Sequence, residues 1–176
     1  MNLLEDRPLV LAIAPVSRGF GFAVLESIRI PIDWGVKEVR REKNAACLAR
    51  AVKLLEGYAP AVLVLDDWSD RRSRRTFRVR SLLRLIAAEA EARGVRVVRH
   101  THVDVRRVFA TFGARTKDQI AGAVARMIPE LIPTLPKPRK IWEPDHYAMA
   151  IFEAAALGIA YFALKEEGKF SRRLEP

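Results

Sequence analysis

Four acids stand where this chain changes direction: Asp66, Asp67, Glu143 and Asp145. Asp66 and Asp67 close the short apolar run Ala61 to Leu65, and Asp145 heads the apolar pattern that follows Pro144. Carboxylates from distant segments can converge at one edge of a sheet and hold divalent cations. Mg2+ takes hard oxygen ligands and keeps several waters beside one or two carboxylates. Two such ions, about 4 Å apart, can grip a scissile phosphate, one activating water and the other stabilising the departing oxygen. Each acid also has an ordinary structural use. An Asp-rich run with Ser is a turn signal, and an acid in a first helical turn interacts well with free N–H groups. Adjacent strand residues point to opposite faces, so a straight strand turns only one of Asp66 and Asp67 toward a given site. His100 and His102 alternate at another strand end, without a third ligand at convincing spacing.

Directly after the Asp66-Asp67 pair, Arg71, Arg72, Arg74, Arg75, Arg78, Arg80 and Arg84 crowd together with no acid among them. Like charges at helical spacing repel, which favours a polyanion as the partner of this segment. Guanidinium–phosphate contacts fix position and give salt-dependent affinity without reading sequence. Phe77 lies among these arginines, placed either to stack on a base or to anchor a helix start in the core. Lys117, Arg139 and Lys140 extend the basic set. Lys plus Arg is 31 against 21 for Asp plus Glu, a formal net charge of +10. That balance suits a nucleic-acid partner.

The elements that must position these residues follow from patterning. The 176 residues, half of them hydrophobic, suffice for one domain with a real core. We expect a single domain over 1–176, with its core at about 9–164 and a charged, frayed tail from Lys165. Leu9 to Ala14, Phe20 to Glu26 and Ile28 to Trp34 read as three strands, joined too closely for parallel crossovers. Pro31 marks the third as an edge or interrupted strand. Asn44 to Glu56 is an amphipathic helix stopped by Gly57. Ala61 to Leu65 and Val95 to Val98 are short buried strands, separated by a helix over Ser73 to Arg93. Helical pattern returns at Val103 to Phe109 and at Lys117 to Leu131, where Pro129 should bend or end the helix. Prolines 133, 136, 138 and 144 stiffen a connector inside the domain, and a last helix is expected over Pro144 to Leu164. The order predicts an α/β fold: a mixed five-stranded sheet with three leading antiparallel strands and helices on both faces.

Cys47 is the only cysteine, which excludes an intrachain disulfide and a thiolate zinc cluster. It falls on an apolar helical stripe and suits a reducing, cytoplasmic setting. No run is long and apolar enough to span a bilayer, and Met1 to Pro8 does not read as a signal peptide.

Four stretches, in order, resemble the RuvC family of Holliday-junction resolvases, within the RNase H-like nucleases. Val10 to Arg18, followed by Gly21, is similar to the first strand and hairpin. Val62 to Asp66 resembles the strand that ends in a catalytic Glu, with Asp66 in its place. Gly113-Ala114-Arg115-Thr116-Lys117-Asp118-Gln119 is similar to the lysine-bearing segment before a helix. Asp145 to Ala150 resembles the start of the last helix. The likeness spans roughly residues 9 to 160. It implies an RNase H-like domain and a homodimeric, Mg2+- or Mn2+-dependent endonuclease acting on branched DNA, with RNA as an alternative substrate of the same fold. It assigns Asp66, or Asp67 if the register slips, together with Asp145 to the metals, Glu143 as the nearest candidate for a further ligand, and Lys117 to the phosphate or the attacking water. It also implies that Phe77 pushes into a junction centre.

The clearest departure from the family is Ala14, where the resemblance calls for an aspartate bridging both metals. A methyl group binds no magnesium. Three explanations compete: an aspartate exchanged for alanine, a natural relative that binds nucleic acid without cutting it, or a site rebuilt from Asp66, Asp67, Asp145 and His146. The first best fits an otherwise intact motif. A basic face that docks on an acidic protein is a further alternative to any nuclease reading.

Overall fold

The structure is a computed structural model that describes residues 8–173, with side chains described as far as residue 168. The readings of residues 1–7 and of the last three residues lie outside it. The element order is β1 (Val10–Val16), β2 (Gly19–Ser27), β3 (Ile30–Glu38), α1 (Lys43–Tyr58), β4 (Val62–Asp66), α2 (Phe77–Ala92), β5 (Arg96–His100), α3 (His102–Ala110), α4 (Lys117–Met127), a 3-10 turn (Pro129–Thr134) and α5 (Met149–Arg173). The five strands form one mixed sheet in the order β3-β2-β1-β4-β5. The first three strands are antiparallel neighbours, and β4 and β5 run parallel to β1. This is the expected α/β class and strand arrangement.

The unbroken apolar run of β1 follows from its central place, because both faces of the sheet are covered. Val10, Ala12 and Ala14 join one apolar cluster with residues of α3, α4 and α5, while Leu11 and Ile13 join a second with residues of α1 and α2. Small residues let α5 lie close against the sheet. A Cβ added at Gly158 would stand 2.7 Å from Leu25 Cδ1. Strand β3 is the edge foreseen from Pro31, and the β2–β3 register shifts on either side of Leu25.

Several boundaries differ from the sequence reading. Pro15 and Val16 continue β1, since the β1–β4 ladder stops at Ile13↔Leu65 and a missing N–H there costs no pairing on that side. Gly57 lies inside α1, and the helix stops at Ala59, which adopts a left-handed conformation and donates its N–H to the Leu55 carbonyl. Thr76 starts α2 by accepting the Val79 N–H on its hydroxyl, which leaves residues 71–75 in a loop. Pro129 does end α4 early, with Ile128 as its cap. Helix α5 begins at Met149, five residues later than expected, because residues 146–149 close turns of the i to i+3 kind. It then continues to Arg173 through the stretch read as frayed. Among the described residues, no helix is long and apolar enough to cross a membrane.

Helix α1 is tied to the edge strand by the Tyr58 hydroxyl, which donates to the Asp33 carboxylate. That hydrogen bond, with burial and the Asp33 charge behind it, pushes the Tyr58 phenol up to about 12. The raised value means that the contribution to stability is complete below the unfolded tyrosine value of 10.0 and is lost as pH rises through about 12. Ultraviolet titration is expected to show one phenol ionising far above the ordinary range, and Tyr58→Phe to remove that step.

Candidate functional site

Strand parity sets the site. Val62 and Val64 of β4 face the α5 side with Val10, Ala12 and Ala14 of β1. Asp66, two residues after Val64, carries that alternation to the end of the strand. The β1–β4 register pairs Ile13 with Leu65, so Ala14 comes level with Asp66 at the next step. On the other side Asp66 pairs with His100 of β5.

Helix α5 crosses this edge and brings in an acid that the sequence reading missed, Glu153. The three carboxylates Asp66, Glu153 and Asp145 alternate with three cations. Arg75 Nη2 lies 2.8 Å from Asp66 Oδ2 and 3.8 Å from Glu153 Oε2. Its Nη1 donates to the Pro15 carbonyl at 2.7 Å. Lys117 Nζ is 2.6 Å from Glu153 Oε1 and 2.5 Å from Asp145 Oδ2. Arg139 Nε meets Asp145 Oδ1 at 2.7 Å. The row therefore reads Asp66, Arg75, Glu153, Lys117, Asp145, Arg139, and it links the ends of β1 and β4 through α5 and α4 to the connector before α5.

Local structure explains each placement. Arg75 reaches inward because Thr76 starts α2 only after it. The loop beneath is braced by Arg80, whose guanidinium donates to the carbonyls of Trp68, Asp70, Ser73 and Arg75. Lys117 is the first residue of α4, held by a capping box in which Thr116 and Gln119 bond reciprocally. Asp145 sits in the loop before α5. Hydrogen bonding from Lys117 outweighs partial burial, with the Lys117 and Arg139 charges adding to it, and holds the Asp145 carboxyl below its ordinary 3.8. Burial works against the Lys117 ammonium, but Glu153 and Asp145 together raise it above 10.5. By linkage, the Asp145 contribution to stability is present above 3.8 and is lost as pH falls through its lower folded value. The Lys117 contribution is present below 10.5 and is lost as pH rises through its higher folded value. Asp145→Asn is accordingly expected to lower stability at neutral pH and to flatten the acid limb of the stability–pH curve, so that the two proteins converge at low pH, as read by thermal melts across pH.

The other sequence candidates lie apart from this row. Asp67 accepts from the Ser69 backbone and hydroxyl, with Arg99 3.5 Å away, in the turn after β4. Glu143 accepts the Lys140 N–H within the connector. His146 Nδ1 accepts the Ala148 N–H. His100 is buried with Nε2 unpartnered, and burial, opposed by Asp104, keeps its imidazole below the usual value. His102 is exposed at the start of α3, so the two histidines form no pair.

Of the arginine cluster, Arg75, Arg78 and Arg80 are engaged within the chain, Arg78 with Asn44 and the Ser17 carbonyl. Arg71, Arg72, Arg74 and Arg84 are on the outside, with Arg72 beside Asp70. Phe77 is 81% exposed at the start of α2 and does not anchor it in the core. A depression of about 700 Å³ opens beside Asp145, lined among others by Pro133, Lys137, Tyr147 and Met149. Asp66 and Glu153 are not in its lining.

This donor set does not fit a two-metal centre. A methyl group stands level with Asp66, a guanidinium bridges Asp66 and Glu153, and an ammonium separates Glu153 from Asp145. Among the described residues, no three or more His, Cys, Asp or Glu side chains are grouped to hold a metal ion.

No family model matches the chain, and no curated protein matches it. Solved structures do. Thermus thermophilus RuvC superposes with a TM-score of 0.66 at 17% identity, over 90% of this chain and 96% of that one. The same protein in complex with a Holliday junction substrate gives 0.64 at 17% identity, again over 90% and 96%. Fowlpox virus resolvase with its substrate Holliday junction DNA gives 0.53 at 13% identity, over 89% and 98%. The chain has the RuvC-type, RNase H-like fold. Within that fold Ala14 lies between Ile13 and Pro15 of β1, Asp66 ends β4, and Glu153 lies one turn after Met149 in α5.

Proposed function

We propose that this protein binds branched or otherwise structured DNA on an RNase H-like scaffold and, as it stands, does not cut it. The observation that carries this reading is the Arg75 guanidinium, bonded at once to the carbonyl of Pro15, the residue after Ala14, and to Asp66. Fixed cations occupy the gaps between the acids, and the exposed arginines of 71–74 flank them. A row with its acids neutralised inside a basic rim suits phosphate better than a bare acidic cluster does. Phe77, projecting from that rim, is the first aromatic available for stacking on an exposed base. A homodimer would present two such faces to a symmetric junction.

Binding of four-way junctions, plain duplex and RNA hybrids over a salt series tests the reading. Junction affinity should exceed duplex affinity and fall steeply with salt, and no product should form with Mg2+ or Mn2+. Each phosphate contact contributes about 0.9 to the slope of log affinity against log salt. Arg71→Ala, Arg72→Ala and Arg74→Ala combined should flatten that slope by about 2 to 3. An absence of nucleic-acid affinity would leave only an acidic protein as the partner of this face.

A second reading is a metal-dependent endonuclease with a rebuilt site, favoured by Glu153 and Asp145 sharing Lys117. It requires Arg75 to leave the acids. Cleavage by the unaltered chain, abolished by Glu153→Gln, would establish it and overturn the first.

A further inference from the structure

The connector between the 3-10 turn and α5 carries a feature that the ion-pair row does not use. Residues 140–143 form a turn closed from both sides. The Glu143 N–H donates to the Lys140 carbonyl at 3.0 Å, and the Lys140 N–H donates to Glu143 Oε2 at 3.0 Å. Arg139 Nη1 adds a bond to the Glu143 carbonyl at 2.6 Å. At the tip of this braced turn are Ile141, 96% exposed, and Trp142, 77% exposed. Holding an indole in water on a fixed turn forgoes its burial and calls for a partner.

Charge identifies the partner. Lys140 Nζ lies 5.3 Å from the Trp142 ring centroid. The neighbouring acids are already engaged, Glu143 by the Lys140 N–H and Asp145 by Lys117 and Arg139. Lys137 and Lys140 have no acid partner among the described residues. The tip thus joins a flat aromatic face to uncompensated ammonium groups. Asp145, three residues on, ties it to the ion-pair row. A base face and its phosphate match that pairing. Paired duplex hides its base faces inside the stack, whereas a flap, gap or open branch point exposes them.

We propose that Trp142 is a stacking platform for an unpaired nucleotide, with Lys140 and Lys137 taking the adjoining phosphates, so that the preferred DNA carries single-stranded nucleotides beside its branch. This rests on the DNA-binding reading above and specifies its substrate class. The probe is a branched DNA with 2-aminopurine at an unpaired position, titrated with the full chain, beside a plain duplex. Quenching of the probe is expected on binding. Trp142→Ala should abolish the quench and weaken branched-DNA binding roughly tenfold, the size of one base–aromatic stack. Duplex binding should be unchanged, and Trp142→Phe should restore most of the loss. Equal affinity and quench in Trp142→Ala would overturn the platform while leaving the DNA-binding reading intact. No binding of any DNA by the unaltered chain would overturn both. Concentration-dependent self-association, lost in Trp142→Ala, would make the tip a protein contact and overturn the platform as well.

Discussion

Gly21→Ala is expected to cost the protein about 3 kcal/mol or more, or to prevent folding, from the argument on overpacked cores. A Cβ at this position would lie 2.2 Å from both the carbonyl carbon and oxygen of Ala150 and 2.6 Å from its Cβ. The first two are backbone atoms and the third is fixed directly to that backbone, so none can rotate aside. Gly21 pairs with Ala14, so the added methyl would lever the start of α5 away from the sheet edge where Asp66 and Glu153 meet Arg75. For a chain of this size, each kcal/mol lowers the melting midpoint by about 2–4 °C, so a loss near 10 °C is the expected reading. Gly57→Ala is the control. Nothing lies within 4 Å of the added Cβ, and the position is inside α1. That change should stabilise by about 0.5–1 kcal/mol.

Arg75→Ala should destabilise by about 1–3 kcal/mol, because it removes a charge-assisted bond to Asp66 and a bond to the Pro15 carbonyl together. The site is partly solvated, with Arg75, Asp66 and Glu153 side chains 31%, 24% and 26% exposed, so the loss stays below that of a fully buried pair. Arg75→Lys should recover little, since one ammonium cannot reproduce a fork that reaches two strands at once. The same change strips Asp66 and Glu153 of their shared cation. Millimolar Mn2+ should therefore leave the melting midpoint of the unaltered chain unmoved. It should raise that of the double variant Ala14→Asp, Arg75→Ala, in which three acids would face one another without the guanidinium. A Mn2+-induced rise in the unaltered chain would contradict the placement of Arg75 as the resident cation.

The sheet was legible because spacing speaks directly to it. Three short strands close together admit only antiparallel pairing, and Pro31 marked the outer one. The ends of helices were less legible. Gly57 looked like a stop and is helix interior. The cap at Thr76 competed with a run of arginines that reads as helix, and its success is what frees Arg75 to turn inward. Asp66 was found from its place at a strand end. Glu153 was not, although a signal was present: it is the only charged residue between Met149 and Leu164. An acid alone in a helix that packs on a sheet must find a cation or pull away from the core. Asp145, the more conspicuous acid in the sequence, lies in the loop before that helix and reaches Glu153 only through Lys117.

The two borders of the sheet have a consequence for handling the protein. On one side the last strand is five residues long, and on the other the outermost strand carries Pro31 opposite a register shift. Each border offers only a short regular ladder to another molecule, the five residues of β5 and the stretch Asp33–Glu38 of β3. Concentrated solutions should therefore resist fibril growth by strand addition, and any precipitation should respond to polyanions and salt instead.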